Sequence, residues 1–129
     1  MRAIVWLDEW QQTCCGDPFE VGSVVTWSLK PPNTEGLRAI LGPDEAQAVT
    51  HHEEHHDAEE TPRVTGSVRS VRVVRCHSAP KPGEDPWTHY PVAESTVIEP
   101  VQAVAGYQPD RDGLSLVGYL VELNVDEPS

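Results

Sequence analysis

The sequence is short of positive charge and of long hydrophobic runs. It has 9 Lys and Arg residues against 21 Asp and Glu, a formal net charge of −12 over 129 residues. So acidic a chain repels phosphate backbones and anionic lipid headgroups, which argues against nucleic acid and membranes as partners. The N-terminal apolar run ends at Asp8, too early for a secretory signal or a membrane span. We therefore expect a cytoplasmic protein.

Cysteine is scarce as well, and its number argues against a disulfide framework. The three cysteines are Cys14, Cys15 and Cys76. An odd count in a reducing compartment favours free thiols, thiolates or metal ligands. A bridge between the adjacent Cys14 and Cys15 is further disfavoured, because disulfide geometry prefers a larger Cα separation than neighbours allow.

The length is typical of one domain, and the apolar pattern predicts that it is rich in β-structure. We expect a single domain over residues 1–125 and a loose tail at 126–129. The continuous apolar run at 3–7 predicts a central strand buried on both faces. The alternation of apolar and polar residues over 21–29 predicts a second strand with one buried face.

Between the second and third predicted strands the sequence favours helices. Residues 34–41 can form one or two helical turns. Residues 42–60 predict a second helix, because Pro43 suits a first turn and the acidic residues after it suit the helix dipole. The C-terminal half of this predicted helix is almost wholly polar, so it either lies in solvent or binds something.

The second half of the sequence returns to β-structure. Residues 64–76 predict a strand whose apolar pattern slips by one residue near Ser70, which indicates a bulge or bend. Residues 93–101 and 114–125 predict two more strands, with Gly118 at a bend or a close backbone approach. The fold class is therefore mainly β (α+β): a small bent antiparallel sheet or partly closed five- to six-stranded barrel with one or two short helices.

The N-terminal half carries a resemblance. The stretch "VWLDEWQQTCCGDPFEVGSVVTWSL" contains the pattern W-x-D-E-W-Q-x-x-C-C-G-x-P-F, and a His-rich segment and "TGSVRSVRVVRC" follow it. Together they resemble small actinobacterial proteins known only as a domain of unknown function. The excess of Arg over Lys, seven to two, is compatible with a high-GC bacterium. The resemblance implies a single fold unit of bacterial origin, and it implies no catalytic residue.

The His-rich segment "HHEEHH" is the first candidate for chemistry, with His51, His52, His55 and His56 as candidate metal ligands. It matches the zinc-protease pattern H-E-x-x-H, in which a helix presents two imidazoles one turn apart and Glu53 is the general base. So dense a run also satisfies such spacings by chance. A solvated helix end and a metal site without peptidase chemistry remain alternatives.

A second set of candidates involves the cysteines. Cys14 or Cys15 with Cys76 and His77 would supply zinc-type ligands from two strand ends, provided that these ends meet. Simple packing in the core is the alternative for each cysteine. A nucleophilic cysteine is a third possibility, with His77 or His89 as base and Asp17 as the group that orients it.

The aromatic residues allow a further kind of binding site. Trp10 together with Trp87, His89 and Tyr90 could line a pocket for a cationic or metal-bearing ligand or contact a protein partner. The interpretation that accounts for most of these features is a metal-linked binding or interaction module of the zinc type, with no catalytic role required. A zinc-dependent hydrolase using residues 51–56 is the alternative.

Overall fold

A computed structural model describes residues 1–9, 17–54, 63–104 and 113–125. The described elements, in chain order, are β1 (Arg2–Asp8), β2 (Phe19–Glu20), β3 (Val24–Lys30), α1 (Thr34–Leu41), α2 (Pro43–Ala48), β4 (His51–Glu53), β5 (Arg63–Ala79), β6 (Tyr90–Val101), β7 (Ala103–Val104) and β8 (Ser115–Val125). Mainly β structure with two short helices between the second and third predicted strands confirms the predicted fold class.

Six strands form one sheet in the order β3-β4-β1-β8-β5-β6. Because β3 also pairs with β5, five of these strands close into a ring, and β6 continues the sheet outside it. The pairings are antiparallel except for β1 with β4, which run parallel. The short strands β2 and β7 pair separately.

The strand β1 is buried on both faces, as its apolar sequence predicts. Val5 and Leu7 point into the ring, where they belong to a cluster with Tyr119 and Val73. Trp6 points to the other side and packs against the helices. We call these two sides the ring interior and the helix-facing side.

The two helices cover the helix-facing side with their apolar residues. The side chain of Asn33 accepts a hydrogen bond from the backbone N–H of Gly36 at 3.1 Å and so caps α1. Leu37 of α1 and Ala46 of α2 are buried against the cluster that contains Trp6. The first turn of α2 begins at Pro43, as predicted.

The prediction of one helix over residues 42–60 is wrong. The helix ends at Ala48, Val49 is extended, and residues 51–53 form β4 between β1 and β3. Thr50 starts this pairing, since its backbone N–H donates to the carbonyl of Ile4 at 2.9 Å. Pairing with two neighbouring strands therefore outweighs the weak helical preference of a polar segment.

Two sequence signals for irregular strands are confirmed. The pairing of β5 with β8 shifts register between Val68 and Ser70, which is the predicted bulge. A Cβ atom on Gly118 would collide with the Trp6 ring and the Leu7 carbonyl oxygen. The lack of a side chain at Gly118 therefore allows β8 to approach β1 closely at Trp6 and Leu7.

Residues 80–89 form the loop that connects β5 to β6. Within the described ranges no helix is long and apolar enough to cross a membrane. The predicted tail at 126–129 lies outside the described residues.

Candidate functional site

The ends of four strands meet at one end of the ring. Because β1 and β4 are parallel and β8 is antiparallel to both β1 and β5, the C-terminal ends of β1, β4 and β5 lie beside the start of β8. Asp8 and Val74 both pair with Gly118 there. The strand end that precedes Cys14 and the strand end that contains Cys76 therefore lie at the same end of the ring, on either side of β8.

A hydrogen-bonded Asp–His pair is the principal polar feature of the helix-facing side. His52 Nε2 lies 2.7 Å from Asp8 Oδ2, although the two residues are 44 positions apart. The indole N–H of Trp6 donates to the other oxygen of the same carboxylate at 2.9 Å. Two hydrogen bonds thus fix the carboxylate, and the carboxylate in turn orients the imidazole.

This pair lines a shallow groove between β1, β4 and the start of α1. The groove has a volume of about 180 Å³. Its lining comprises Trp6, Asp8, Asn33, Gly36, Leu37, Ile40 and His52. Side-chain exposure is 14% for His52 and 25% for Asp8, so both groups are partly shielded from water. A ligand in this groove would meet an apolar wall and one oriented imidazole.

A second ion pair stands next to the groove. Lys30 Nζ lies 2.7 Å from Glu54 Oε2. The side chain of Glu54 is 12% exposed, while that of Lys30 is 41% exposed. Lys30 also pairs in register with His52, so these charges belong to the helix-facing side of β4.

Glu53 lies in the ring interior, because adjacent residues of a strand point to opposite faces. It is 2% exposed and pairs in register with Leu29. Burial raises the pKa of its carboxyl group from 4.5 to about 8, and the negative charges of Glu54 and Asp8 add to the rise. At neutral pH the carboxyl group is therefore largely protonated.

Tyr119 is a second polar group in the interior. It is fully buried, and its hydroxyl has no hydrogen-bond partner within the described part of the chain. Burial raises the pKa of this hydroxyl; the charge of Glu9 adds to the rise, and Arg75 opposes it. The interior therefore stabilises the neutral forms of both Tyr119 and Glu53.

The helical interpretation of H-E-x-x-H is not met by the described part of the motif. A zinc-protease helix places its histidine and its glutamate in one site, but β4 directs His52 to the groove and Glu53 to the interior. His51 is held through Nδ1 at 2.8 Å from the hydroxyl oxygen of Thr50. The remaining members of the motif, His55 and His56, lie outside the described residues.

The structure separates the side chains of the cysteine-based set. Cys76 is fully buried, and burial raises the pKa of its thiol. The next residue, His77, is exposed. Cys14 and Cys15 lie outside the described residues. A buried, protonated thiol is a poor nucleophile, so the interpretation of Cys76 as an activated cysteine gains no support.

Three members of the predicted aromatic site, Trp87, His89 and Tyr90, lie in or next to the β5–β6 loop. Trp87 is 86% exposed. The cation next to Tyr90 is the chain's own Lys81, whose Nζ lies 4.1 Å from the ring centroid. His89 is exposed in the same loop, and Trp10 lies outside the described residues.

Sequence reasoning missed the partners of His52. Trp6 and Asp8 share one face of β1 by their spacing, which is a visible signal. The pairing of β1 with β4 that brings His52 to them is a long-range contact without a sequence pattern. The same pairing hides Glu53 in the interior.

Comparison with known families assigns the chain. The model of the "Family of unknown function (DUF6578)" matches residues 1–125. The chain belongs to the DUF6578 family. This confirms the resemblance to a domain of unknown function, whereas the proposed N-terminal motif and the actinobacterial origin stay predictions. No curated protein and no solved structure matches the chain.

Proposed function

We propose that this DUF6578 protein is a metal-linked binding module in which His52 is a ligand to a zinc-type divalent cation. The observation that carries the proposal is the hydrogen bond between Asp8 and His52. Histidines that bind metals commonly donate one ring N–H to a carboxylate, which fixes the tautomer and increases the basicity of the other nitrogen. With Nε2 donating to Asp8, the lone pair of the neutral ring is at Nδ1.

The surrounding charge supports the same proposal. The carboxylate of Asp8 lies 2.7 Å from His52, and the whole chain carries a net charge of −12. Negative charge around an imidazole favours the approach of a cation and stabilises it after binding. Imidazole nitrogen is also among the preferred ligands of zinc.

A complete site needs donors beyond those in the groove. Within residues 1–9, 17–54, 63–104 and 113–125, no group of three or more His, Cys, Asp or Glu side chains is arranged to hold a metal ion. The proposal therefore draws its other ligands from His55 and His56, which follow β4 directly, or from Cys14 and Cys15, which follow β1.

A calorimetric titration of untagged protein with zinc tests the proposal. We expect His52→Ala to weaken zinc binding at least tenfold, and Asp8→Asn to weaken it by about 10- to 100-fold, because the imidazole loses its orienting partner. His89→Ala is the matched control, since His89 is exposed in a distant loop. Cys76→Ser should also leave the affinity unchanged, because this thiol is buried.

Two outcomes would contradict the proposal. Wild-type protein that takes up no zinc would exclude a metal-linked role. Equal affinities for wild type and His52→Ala would move the site away from β4. Thermal melting in EDTA should be recorded for each variant, so that loss of binding is not confused with loss of the fold.

A further inference from the structure

Trp87 is far more exposed than the other tryptophans in the described ranges. Its exposed fraction is 86%, compared with 1% for Trp6 and 8% for Trp27. Tryptophan is highly buried on average, because its large apolar surface gains most from leaving water. A tryptophan held in solvent on a structured loop is typical of an anchor residue at an interface.

The loop that carries Trp87 extends beyond the ring. The last pairing of β5 with β8 joins Cys76 to Ser115. Beyond it, β5 continues to Ala79 and pairs only with β6, from His77 with Val92 to Ala79 with Tyr90. Residues 80–89 therefore connect the two strands of an extension that β5 and β6 form past this last pairing.

Hydrogen bonds within the loop fix the backbone around Trp87. The carboxylate oxygen Oδ1 of Asp85 accepts from the backbone N–H of Trp87 at 3.0 Å and from that of Thr88 at 2.8 Å. The Thr88 hydroxyl donates to the same carboxylate. Lys81 packs over the Tyr90 ring at the base of the loop. A loop ordered before binding loses little conformational entropy when its tryptophan docks.

The charge of the loop selects the kind of partner. Glu84 and Asp85 precede Trp87 closely, and the hydrogen bonds from Thr88 and Trp87 lower the pKa of Asp85, so this carboxylate stays ionised. The ammonium group of Lys81 in the same loop is held over the Tyr90 ring, so the loop has a formal charge of −1 with the acidic groups next to Trp87. The chain as a whole has a net charge of −12. Complementary charge on a partner is therefore positive. A second copy of this chain would be repelled, and so would an anionic lipid surface.

We propose that loop 80–89 is a protein-interaction surface, in which Trp87 docks on an apolar surface of a partner protein flanked by lysine or arginine side chains. The tryptophan supplies the buried contact area. The acidic side chains beside it orient the partner and accelerate the encounter. This surface is separate from the His52 groove and does not depend on a metal.

A synthetic amphipathic helical peptide of leucine and lysine is a suitable probe, because it presents an apolar face flanked by ammonium groups. Its binding is followed by the anisotropy of a dye on the peptide. We expect Trp87→Ala to weaken binding at least about tenfold, as for a tryptophan anchor. Trp87→Phe should recover part of the affinity. Val24→Ala is the matched control, because Val24 is 72% exposed on a different surface.

Each contrary result has a distinct meaning. Equal binding by Trp87→Ala and wild type would reduce the interaction to net charge and overturn the proposal. Equal binding of a leucine–glutamate peptide would remove the argument from charge. If the peptide does not bind but phosphatidylcholine vesicles bind in a Trp87-dependent manner, the loop binds lipid and the proposal is wrong. If neither probe binds, Trp87 has no docking role and the proposal is also wrong.

Discussion

The two faces of β4 place ionisable residues in different environments: one is partly exposed to water and the other is buried. On the helix-facing side, His52 and Asp8 satisfy each other at 2.7 Å in a groove that water reaches. In the interior, Glu53 is 2% exposed, and its carboxyl group has a pKa of about 8. One face therefore keeps hydrogen-bonded polar groups within reach of water, whereas the other buries a carboxyl group mainly in its neutral form.

Replacing Glu53 by Gln should produce the largest effect. The folded-state pKa of about 8 lies above the unfolded value near 4.5, so the folded protein retains a proton that the unfolded chain releases. Wild-type stability should therefore be highest below about pH 4.5 with respect to this group, fall as pH rises, and level off above pH 8. Glu53→Gln removes this loss and should be more stable at pH 9 by roughly 2–4 kcal/mol.

Urea unfolding in EDTA at pH 6 and pH 9 measures this difference. The control is Glu94→Gln, an exposed residue whose replacement should leave the pH dependence unchanged. If Glu53→Gln and wild type lose stability in parallel between the two pH values, the carboxyl group of Glu53 is ionised in the folded protein.

Replacing Gly118 by Ala should disturb the close approach of β8 to β1, the strand that carries the Asp8 partner of His52. The added methyl group would meet the Trp6 ring on one side and the Leu7 carbonyl oxygen on the other. Overpacking of this kind typically destabilises a protein by about 1–3 kcal/mol. Ser115→Ala, at an exposed position of the same strand, is the control. Equal melting temperatures for the two variants would show that β1 and β8 can move apart at no cost.

Sequence patterns predicted the parts of the fold that local chemistry determines. The apolar run of β1, the register slip near Ser70 and the close approach at Gly118 each have a signal within a few residues. The strand β4 has none, because three polar residues acquire their structure from pairing with β1 and β3. Whether β4 exposes or buries a given side chain follows from that pairing.

The candidate site was predictable only in part for the same reason. The His-rich segment identified His52 as a candidate ligand, but Asp8 is 44 residues away in sequence. The predicted partnership of Cys76 with His77 assumed that two neighbours on a strand serve one site, whereas one is buried and the other exposed. Residue type identified candidate ligands, and long-range pairing decided which of the described residues meet.

Replacing Asp8 by Asn should affect the helix-facing side more moderately. Asn can still accept from the Trp6 indole, but it replaces a carboxylate at His52 by a neutral amide. Loss of a charge-assisted hydrogen bond in a partly exposed site should destabilise the protein by about 1 kcal/mol at neutral pH. Thermal melting of Asp8→Asn, compared with the exposed control variant Glu84→Gln, measures this loss of stability. A melting temperature equal to that of the control would mean that the pair adds no stability.

Replacing Glu54 by Gln should have the smallest effect on stability and should reveal whether the two faces are coupled. The ion pair with Lys30 is partly exposed, so its loss should destabilise the protein by less than about 1 kcal/mol. The negative charge of Glu54 also helps to raise the pKa of Glu53. Its removal should therefore lower that pKa, and the fall of stability with rising pH should end at a lower pH than in wild type. Unfolding free energies of Glu54→Gln and Lys30→Gln across pH 5 to 9 separate the two contributions, because both variants lose the ion pair and only the first loses the charge that acts on Glu53. Identical pH profiles for these two variants would mean that the charge of Glu54 does not contribute to the raised pKa of Glu53, which would then be set by burial and by Asp8.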